Sequence, residues 1–264
     1  MQGHKKKCFL LILFISVFIF SGSMLGWLHI KGAWEENSLK QLAQAKQQAE
    51  CTEPPSTQPA PPILPGKTEE ADPVMLKQYE ALYQQNADMI GWIKIDGTEI
   101  DYPVMYTGDD FYLSHDFNQE SAKSGIPFID QRCTVDPFGT NTIVYAHNMK
   151  NGTMFSELLN YKSMEYYEAH PVIHFDTLYE TKEYEIVAVF ESEVYKKSDT
   201  VFKHYNFLNA DTQADFEEYA ANIEALSLYD TGIHLEYGDE ILTLMTCSYH
   251  TENGRFVVVA RTCA

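Results

Sequence analysis

Cys247 and Arg255 have the residue types and the spacing for nucleophilic chemistry. Cys247 ends an apolar, β-rich run (ILTLMTC), where a thiol can face a groove while the strand fixes its position. Arg255 follows a polar loop that contains Asn253 and Gly254, and a hairpin at this loop would return the arginine to the thiol. A nearby histidine or arginine favours the thiolate, which is the reactive form of cysteine. A cysteine at the end of a strand is more often a small buried apolar residue than a nucleophile. Spacing alone therefore favours a structural role for Cys247.

His147 is a candidate acid/base. It ends another β-rich run, TIVYAH, and turn-prone residues 148–152 follow it. A histidine at the mouth of a loop is better placed for proton transfer than one within a strand, although an ordinary surface imidazole fits the same pattern. His250 lies nearer to Cys247 in the sequence. Because the fold assembles catalytic partners, position and spacing do not choose between His147 and His250.

The composition bounds the possible functions. A formal net charge of -19 argues against nucleic-acid binding, since phosphates would repel such a surface. The cysteines form no CxxC pair and no close Cys/His ligand spacing, which argues against a structural zinc site and a disulfide scaffold. No acidic cluster is assigned to calcium, so we expect neither a metal ion nor a cofactor. The five cysteines are Cys8, Cys51, Cys133, Cys247 and Cys263.

The N-terminal segment has the pattern of a membrane anchor. Three lysines at 5–7 precede an apolar run at 8–28, whose about 21 residues span a hydrocarbon core of ~30 Å at ~1.5 Å per residue. The lysines favour a cytoplasmic N-terminus. The alternative is a cleaved signal peptide, given the small residues at 21–23, but the apolar residues beyond them favour an uncleaved anchor. The sequence therefore predicts a cytoplasmic tail at 1–7, a single transmembrane helix at 8–30 and a cell-membrane protein with an extracellular domain.

A stalk is predicted between the membrane and the folded domain. Residues 33–50 are rich in helix formers but have a thin apolar face, which is typical of a marginal juxtamembrane helix. Residues 51–71 contain six prolines among polar residues and predict an extended spacer. The stalk is thus assigned to 31–71. The folded domain is assigned to 72–264, and nothing before Asp72 is expected to join its core.

The remaining pattern predicts a mainly β domain decorated by helices. Asp72 as N-cap and Pro73 as first helical residue predict a helix to about Asn86. A second helix is predicted at 211–226, behind a cap at Asn209 or Asp211. Turn residues separate the β-rich runs, as in an all-β barrel or sandwich. These runs lie at 90–95, 102–105, 141–146, 172–175, 183–194, 240–246 and 256–261.

Several segments resemble the sortase family, and class B sortases in particular. TLMTC resembles the family's nucleophile signature, and the histidine and arginine motifs follow the family's order along the chain. The resemblance covers about residues 73–261. The similar segments are 243–247 (TLMTC), 145–155 (YAHNMKNGTMF), 253–258 (NGRFVV), 90–95 (IGWIKI), 100–104 (IDYPV), 112–116 (YLSHD) and 125–130.

The resemblance implies a fold and an activity. The fold is a distorted eight-stranded β-barrel with an N-terminal helix, and the helix at about 211–226 matches a helix-bearing insertion. Cys247 would attack the threonine carbonyl in the C-terminal sorting motif of a secreted protein, and an amine would resolve the thioester. His147 would protonate the leaving amine and deprotonate the incoming one, while Arg255 would hold the oxyanion. Met245 at the variable motif position and Ala146 in place of the commoner glycine depart from the family pattern, and both bear on the substrate groove.

The resemblance also implies partners. Cell-wall anchoring in a Gram-positive bacterium would join secreted proteins with a C-terminal sorting motif to a peptidoglycan precursor. A pilin polymerase, whose acceptor is a lysine amine of the next pilin, is the alternative within the family. A cysteine protease that hydrolyses its thioester, or a catalytically silent binding module, would be alternatives of other classes. The intact cysteine, histidine and arginine argue against the silent module.

Overall fold

The structure is a computed structural model that describes residues 2–51 and 73–263. It forms two compact units, Met1–Gln41 and Leu42–Ala264. Helix α1 (Gln2–Cys51) supplies the described part of the first unit and the start of the second.

The predicted spacer lies outside the described residues from 52 onwards. In the predicted anchor, the side chains at 8–13, 25 and 27–29 are also outside the described part. Among the described residues, no helix combines the length and the apolar character needed to span a membrane. The transmembrane helix stays a prediction.

The second unit is built on a closed barrel of eight strands, as predicted. Around the barrel the order is β1-β2-β3-β4-β7-β8-β6-β5, with parallel β2–β3 and β4–β7 pairs and antiparallel pairs elsewhere. The strands are β1 (Met89–Lys94), β2 (Asp101–Met105), β3 (Phe128–Ile129), β4 (Asn141–Tyr145), β5 (Val172–Thr177), β6 (Glu183–Glu193), β7 (Ile241–Cys247) and β8 (Gly254–Thr262). Besides the end of α1, three α-helices and three 3₁₀ segments accompany them in the described residues of this unit: α2 (Lys77–Gln85), α3 (Met164–Ala169), α4 (Gln213–Leu226), Phe111–Leu113, Ser156–Lys162 and His204–Asn206.

The strands that carry the candidate site are buried along most of their length. Six of the seven residues of β7 are buried, as are most residues of β8. Continuous apolar runs of this kind are typical of strands packed on both faces. The antiparallel β7–β8 pair and the parallel β4–β7 pair place the ends of β4 and β7 at one edge of the barrel.

Helix α2 begins later than the sequence pattern predicted. Asp72 lies outside the described residues, and residues 73–76 have no regular secondary structure. Leu76 is extended, with φ and ψ of -64° and 129°. The backbone N–H of Leu76 donates to the carbonyl of Leu178 at 2.8 Å. This long-range bond takes the chain out of helical geometry, so the prediction that Pro73 opens the helix is wrong.

Helix α4 is capped by Thr212 rather than by Asn209 or Asp211. The Thr212 hydroxyl accepts a hydrogen bond from the backbone N–H of Asp215 at 3.2 Å, as an N-cap residue does. The side chain of Asn209 instead accepts from the backbone N–H of Thr140 at 3.1 Å. The predicted cap is wrong because Asn209 is engaged by the loop before β4.

The end of α1 packs within the second unit, which differs from the expectation that nothing before Asp72 joins the core. Leu42 and Lys46 are both 9% exposed. The Lys46 ammonium lies 5.3 Å from the centroid of the Trp92 ring and 5.8 Å from that of Tyr79. A lysine buries its alkyl stem and stabilises its charge over aromatic faces, so a thin apolar face is sufficient here. The domain boundary at residue 72 stays a prediction.

Candidate active site

The β7–β8 hairpin places Cys247 and Arg255 side by side. The two residues are direct partners in the antiparallel register, so their side chains lie on the same face, with Cβ atoms ~5 Å apart. The connecting loop turns at Asn253, whose φ is +60°. At Gly254 a Cβ atom would meet the carbonyl oxygen of Ser248 at 2.3 Å, so glycine is required for the close approach.

His147 reaches the same edge because β4 runs parallel to β7. Tyr145 pairs with Met245, so His147 and Cys247 each lie two residues beyond the same register position. Two hydrogen bonds continue the contact past the strands. The Thr246 hydroxyl donates to the Ala146 carbonyl at 2.8 Å, and the Asn148 amide donates to the Cys247 carbonyl at 3.0 Å.

The His147 ring is oriented by a backbone carbonyl. Its Nε2 atom lies 2.8 Å from the carbonyl oxygen of Leu113. Since a carbonyl oxygen only accepts, Nε2 carries a proton in this contact. In the neutral imidazole the lone pair is therefore on Nδ1, which is left to exchange protons with a substrate.

The Arg255 guanidinium is held by its own loop. Nη1 donates to the carbonyls of Gly254 at 3.0 Å and Asn253 at 3.3 Å. None of the ion pairs among the described residues involves Arg255, so no carboxylate of this part of the chain contacts the guanidinium directly. A permanently charged donor in this position is suited to binding an anion.

One groove of about 440 Å³ brings the three residues together. Cys247, His147 and Arg255 all line it, and the Cys247 thiol is partly exposed. Leu113 and Met245 supply apolar wall. The sequence alone predicts neither residue as part of the site. Met245 stands out only as a departure from the family motif.

An ion pair with a buried carboxylate closes another part of the groove. Arg132 contacts both carboxylate oxygens of Asp130, at 2.7 and 2.9 Å, and the Tyr145 hydroxyl donates to the same carboxylate at 2.9 Å. Burial opposes ionisation of Asp130, but the hydrogen bonds and charge of Arg132 hold its pKa below the ordinary value. Arg132 also donates to the carbonyl of Tyr205 at 2.9 Å. The pair is therefore satisfied and ties the 200–206 region to the groove.

His250 does not line this groove. Its Nδ1 atom lies 2.9 Å from the Ser248 hydroxyl and 3.6 Å from a carboxylate oxygen of Glu191. The structure thus separates the two histidines that sequence spacing left undecided. In the described part of the chain, no group of three or more His, Cys, Asp or Glu side chains is arranged to hold a metal ion.

The sequence matches the sortase domain family over residues 93–263. The chain belongs to the sortase family. A curated sortase B of Listeria monocytogenes is 36% identical over 180 residues, which are 67% of this chain and 70% of that relative. Sortase B of Staphylococcus aureus is 31% identical over 188 residues, or 70% of this chain and 74% of the relative.

Solved structures support the same class. The Staphylococcus aureus sortase B–substrate complex superposes with a TM-score of 0.72 at 25% identity, over 89% of this chain and 98% of that one. A mutant form of Clostridium perfringens sortase B gives a TM-score of 0.64 at 34% identity, over 71% of this chain and 87% of that one. This sortase is of class B and is a cysteine transpeptidase.

Proposed function

We propose that this sortase anchors secreted proteins to the cell wall. It cleaves their C-terminal sorting motif after threonine and transfers the new acyl group to an amine of a peptidoglycan precursor. The observation that carries the proposal is the cross-strand pairing of Cys247 with Arg255 in a groove that His147 also lines. A thiol, a proton-transfer group and an oxyanion donor are what acyl transfer requires.

The thiolate of Cys247 forms the first new bond, to the threonine carbonyl carbon. When the tetrahedral intermediate collapses, the C–N bond to the next residue breaks and His147 protonates the departing amine. The product is a thioester between Cys247 and the threonine. The acceptor amine then attacks this carbonyl, His147 takes its proton, and the thiolate leaves.

Arg255 is assigned to the oxyanion of both tetrahedral intermediates. Its position opposite Cys247 and its contacts with loop carbonyls support this role. Because the loop carbonyls are uncharged, they orient the guanidinium and leave its positive charge in place. That charge can then stabilise the negative charge that develops on the substrate oxygen.

The orientation of His147 supports its assignment as acid/base. The Leu113 carbonyl fixes Nε2–H, so Nδ1 is the atom that gives and takes the proton. Asn148 bonds the carbonyl of Cys247 and thereby couples the position of this loop to that of the nucleophile.

The groove supports a peptide substrate. About 440 Å³ is within the range of sites that enclose a small ligand or a short peptide segment. One structural neighbour is a sortase B–substrate complex. This likeness supports the binding of a substrate protein by the present chain.

Membrane anchorage is part of the proposal. The lysines at 5–7 and the apolar run at 8–28 support a single-pass anchor with the catalytic domain outside the cell. N-terminal sequencing of the protein from membranes tests this. An intact N-terminus supports the anchor, whereas a start near residues 22–26 identifies a cleaved signal peptide.

A competition between acceptors tests the reaction. Quenched fluorescent peptides with a fixed threonine and varied neighbours are incubated with triglycine, a diaminopimelate-containing stem peptide or Nα-acetyl-lysine amide. We expect a product in which the threonine carbonyl is joined to a peptidoglycan-type amine. Transfer to the lysine derivative alone would support the pilin polymerase instead. Release to water alone would support a protease, and cleavage at another residue would contradict the proposal.

A further inference from the structure

Glu191 lies outside the groove, yet its carboxylate contacts residues from two other segments. One oxygen accepts from the Lys162 ammonium at 2.5 Å and from the Ser248 hydroxyl at 3.5 Å. The same oxygen lies 3.6 Å from Nδ1 of His250. Ser248 is 4% exposed, and its hydroxyl also contacts His250 at 2.9 Å. We call Lys162, Glu191, Ser248 and His250 the Glu191 cluster.

The cluster joins the segments that carry the candidate catalytic residues. Ser248 directly follows Cys247. Glu191 directly precedes Ser192, which pairs with Arg255 across β6 and β8. Lys162 ends the 3₁₀ segment Ser156–Lys162, which follows the His147 loop. That loop is closed by a hydrogen bond from the Phe155 N–H to the His147 carbonyl at 3.0 Å. One carboxylate therefore connects all three segments.

The charges in the cluster favour an ionised Glu191. Its hydrogen bond with Lys162 is the main cause that lowers the pKa of this carboxyl, and the charges of Lys162 and His250 act in the same direction. The Lys162 ammonium also lies 5.8 Å from the centroid of the Phe256 ring, and Phe256 is the cross-strand partner of Glu191. Removing the carboxylate would leave two basic side chains beside the loop without their shared acceptor.

The loop between Cys247 and Arg255 has few other ties to the barrel. Thr251 donates to Glu193 at 3.4 Å, and the Val194 N–H donates to the Asn253 carbonyl at 3.1 Å. Within the hairpin, the Ser248 N–H donates to the Gly254 carbonyl at 2.9 Å. Among these side-chain contacts of residues 248–254 with β6, the Glu191 contact with Ser248 is the one next to the nucleophile.

We propose that Glu191 is a positioning residue for the transfer reaction. Its contact with Ser248 holds the loop that joins Cys247 to Arg255, and its contact with Lys162 ties the same carboxylate to the segment that follows the His147 loop. This inference rests on the proposed roles of Cys247 and Arg255. Glu191 itself does not line the groove. Its effect is therefore on kcat, because the misplacement of a reacting group costs rate while peptide binding in the groove is retained.

The test compares Glu191→Gln, Ser248→Ala and the double variant in the full chain. Glu185→Gln is the matched control, because Glu185 lies on the same strand opposite Arg261, far from the groove. For Glu191→Gln we expect kcat to fall about tenfold, the factor that corresponds to one hydrogen bond to a charged group, with KM within about twofold. Because the two residues act as one unit, the double variant should lose little more than the worse single variant.

Two further readouts and one control variant separate positioning from stability and from the proposed function. Thermal unfolding and the alkylation rate of Cys247, located by peptide mapping, are measured for each variant. An unchanged kcat in Glu191→Gln, or losses that multiply fully in the double variant, would overturn the positioning role. Cys247→Ala is run in parallel. Turnover in that variant would overturn the proposed function, whereas an inactive Cys247→Ala with a fully active Glu191→Gln would overturn the positioning role alone.

Discussion

Cys247 and Arg255 are direct cross-strand partners in the β7–β8 hairpin, separated along the chain by residues 248–254 but neighbours on one face of the sheet. The pairing is possible because Gly254 lets the returning chain approach the Ser248 carbonyl. The backbone hydrogen bonds of the hairpin hold the two residues opposite each other. The barrel thereby fixes the backbone positions of the nucleophile and the oxyanion donor.

Arg255→Lys tests whether the arginine acts through geometry or only through charge. Lysine keeps the charge but loses the planar fork. Removal of one oxyanion donor costs ~10²–10³-fold, so we expect a fall in kcat of this size for Arg255→Ala. The kcat of Arg255→Lys should lie between those of Arg255→Ala and the parent. Steady-state kinetics with a fluorogenic sorting peptide measure it. Arg261→Lys, on the same strand and paired with Asp239, is the control and should keep its kcat. A fully active Arg255→Lys variant would show that the fork is not used.

Substituting the two histidines separately tests the acid/base assignment. His147→Ala should lower turnover by at least the ~10²–10⁴-fold that general acid/base catalysis contributes. His250→Ala should lose less than about tenfold, because it contacts the Ser248 hydroxyl and not the groove. Both variants are compared on the same peptide. Equal losses, or a greater loss at His250, would contradict the assignment.

Removal of the N-terminal residues tests the contribution of the end of α1. A variant lacking residues 1–41 keeps Leu42 and Lys46, whereas one lacking residues 1–71 loses both and uncovers the Trp92 ring. Both should fold and turn over peptide. The shorter chain should be less stable by ~1–3 kcal/mol, the order of one buried apolar side chain plus a cation–π contact. Urea unfolding measures the difference, and equal free energies of unfolding would show that the packing is not stabilising.

The acid stability of the domain should depend on His204. Burial lowers the pKa of this imidazole to about 4, and its Nε2 atom has no hydrogen-bond partner among the described residues. The unfolded chain binds a proton at His204 below pH ~6.5, whereas the folded chain does not until pH ~4. Stability therefore falls as the pH drops through this window, by at most ~3 kcal/mol.

Urea unfolding of His204→Phe between pH 7 and pH 4 checks this. The variant should lose less stability than the parent over that interval, whatever its stability at pH 7. His234→Gln is the control, because His234 is exposed and pairs with Glu224. Parallel pH profiles for the parent and His204→Phe would contradict the expectation.

Local patterns in the sequence predicted the strands that carry the site. The predicted ends of β7 and β8 agree with the structure within about two residues. Long apolar runs between polar turns are typical of buried strands. β3 was not assigned as a strand, since its two residues, Phe128 and Ile129, are too few to show a period. The helix-bearing segment between β6 and β7 was predicted from helical spacing, and only its cap was misplaced.

Features that depend on long-range contacts were beyond the sequence. The start of α2 is set by a hydrogen bond from Leu76 to Leu178, and Lys46 is buried by two aromatic rings far along the chain. His147 was separated from His250 by the parallel β4–β7 register, which no local spacing encodes. Only the family resemblance points to the segment 125–130, which supplies the Asp130 carboxylate of the groove.

The most direct test of the account is the covalent adduct at Cys247. The sortase is mixed with a substrate peptide without an acceptor amine, quenched in acid, and analysed by intact mass and peptide mapping. We predict a hydroxylamine-sensitive adduct on the segment that contains Cys247, with a mass increase equal to the peptide fragment ending in threonine less one water, and none in Cys247→Ala. Cys133 serves as an internal control, because burial raises its pKa to about 11 and it should stay unmodified. An adduct that persists in Cys247→Ala, or one located on another residue, would contradict the account.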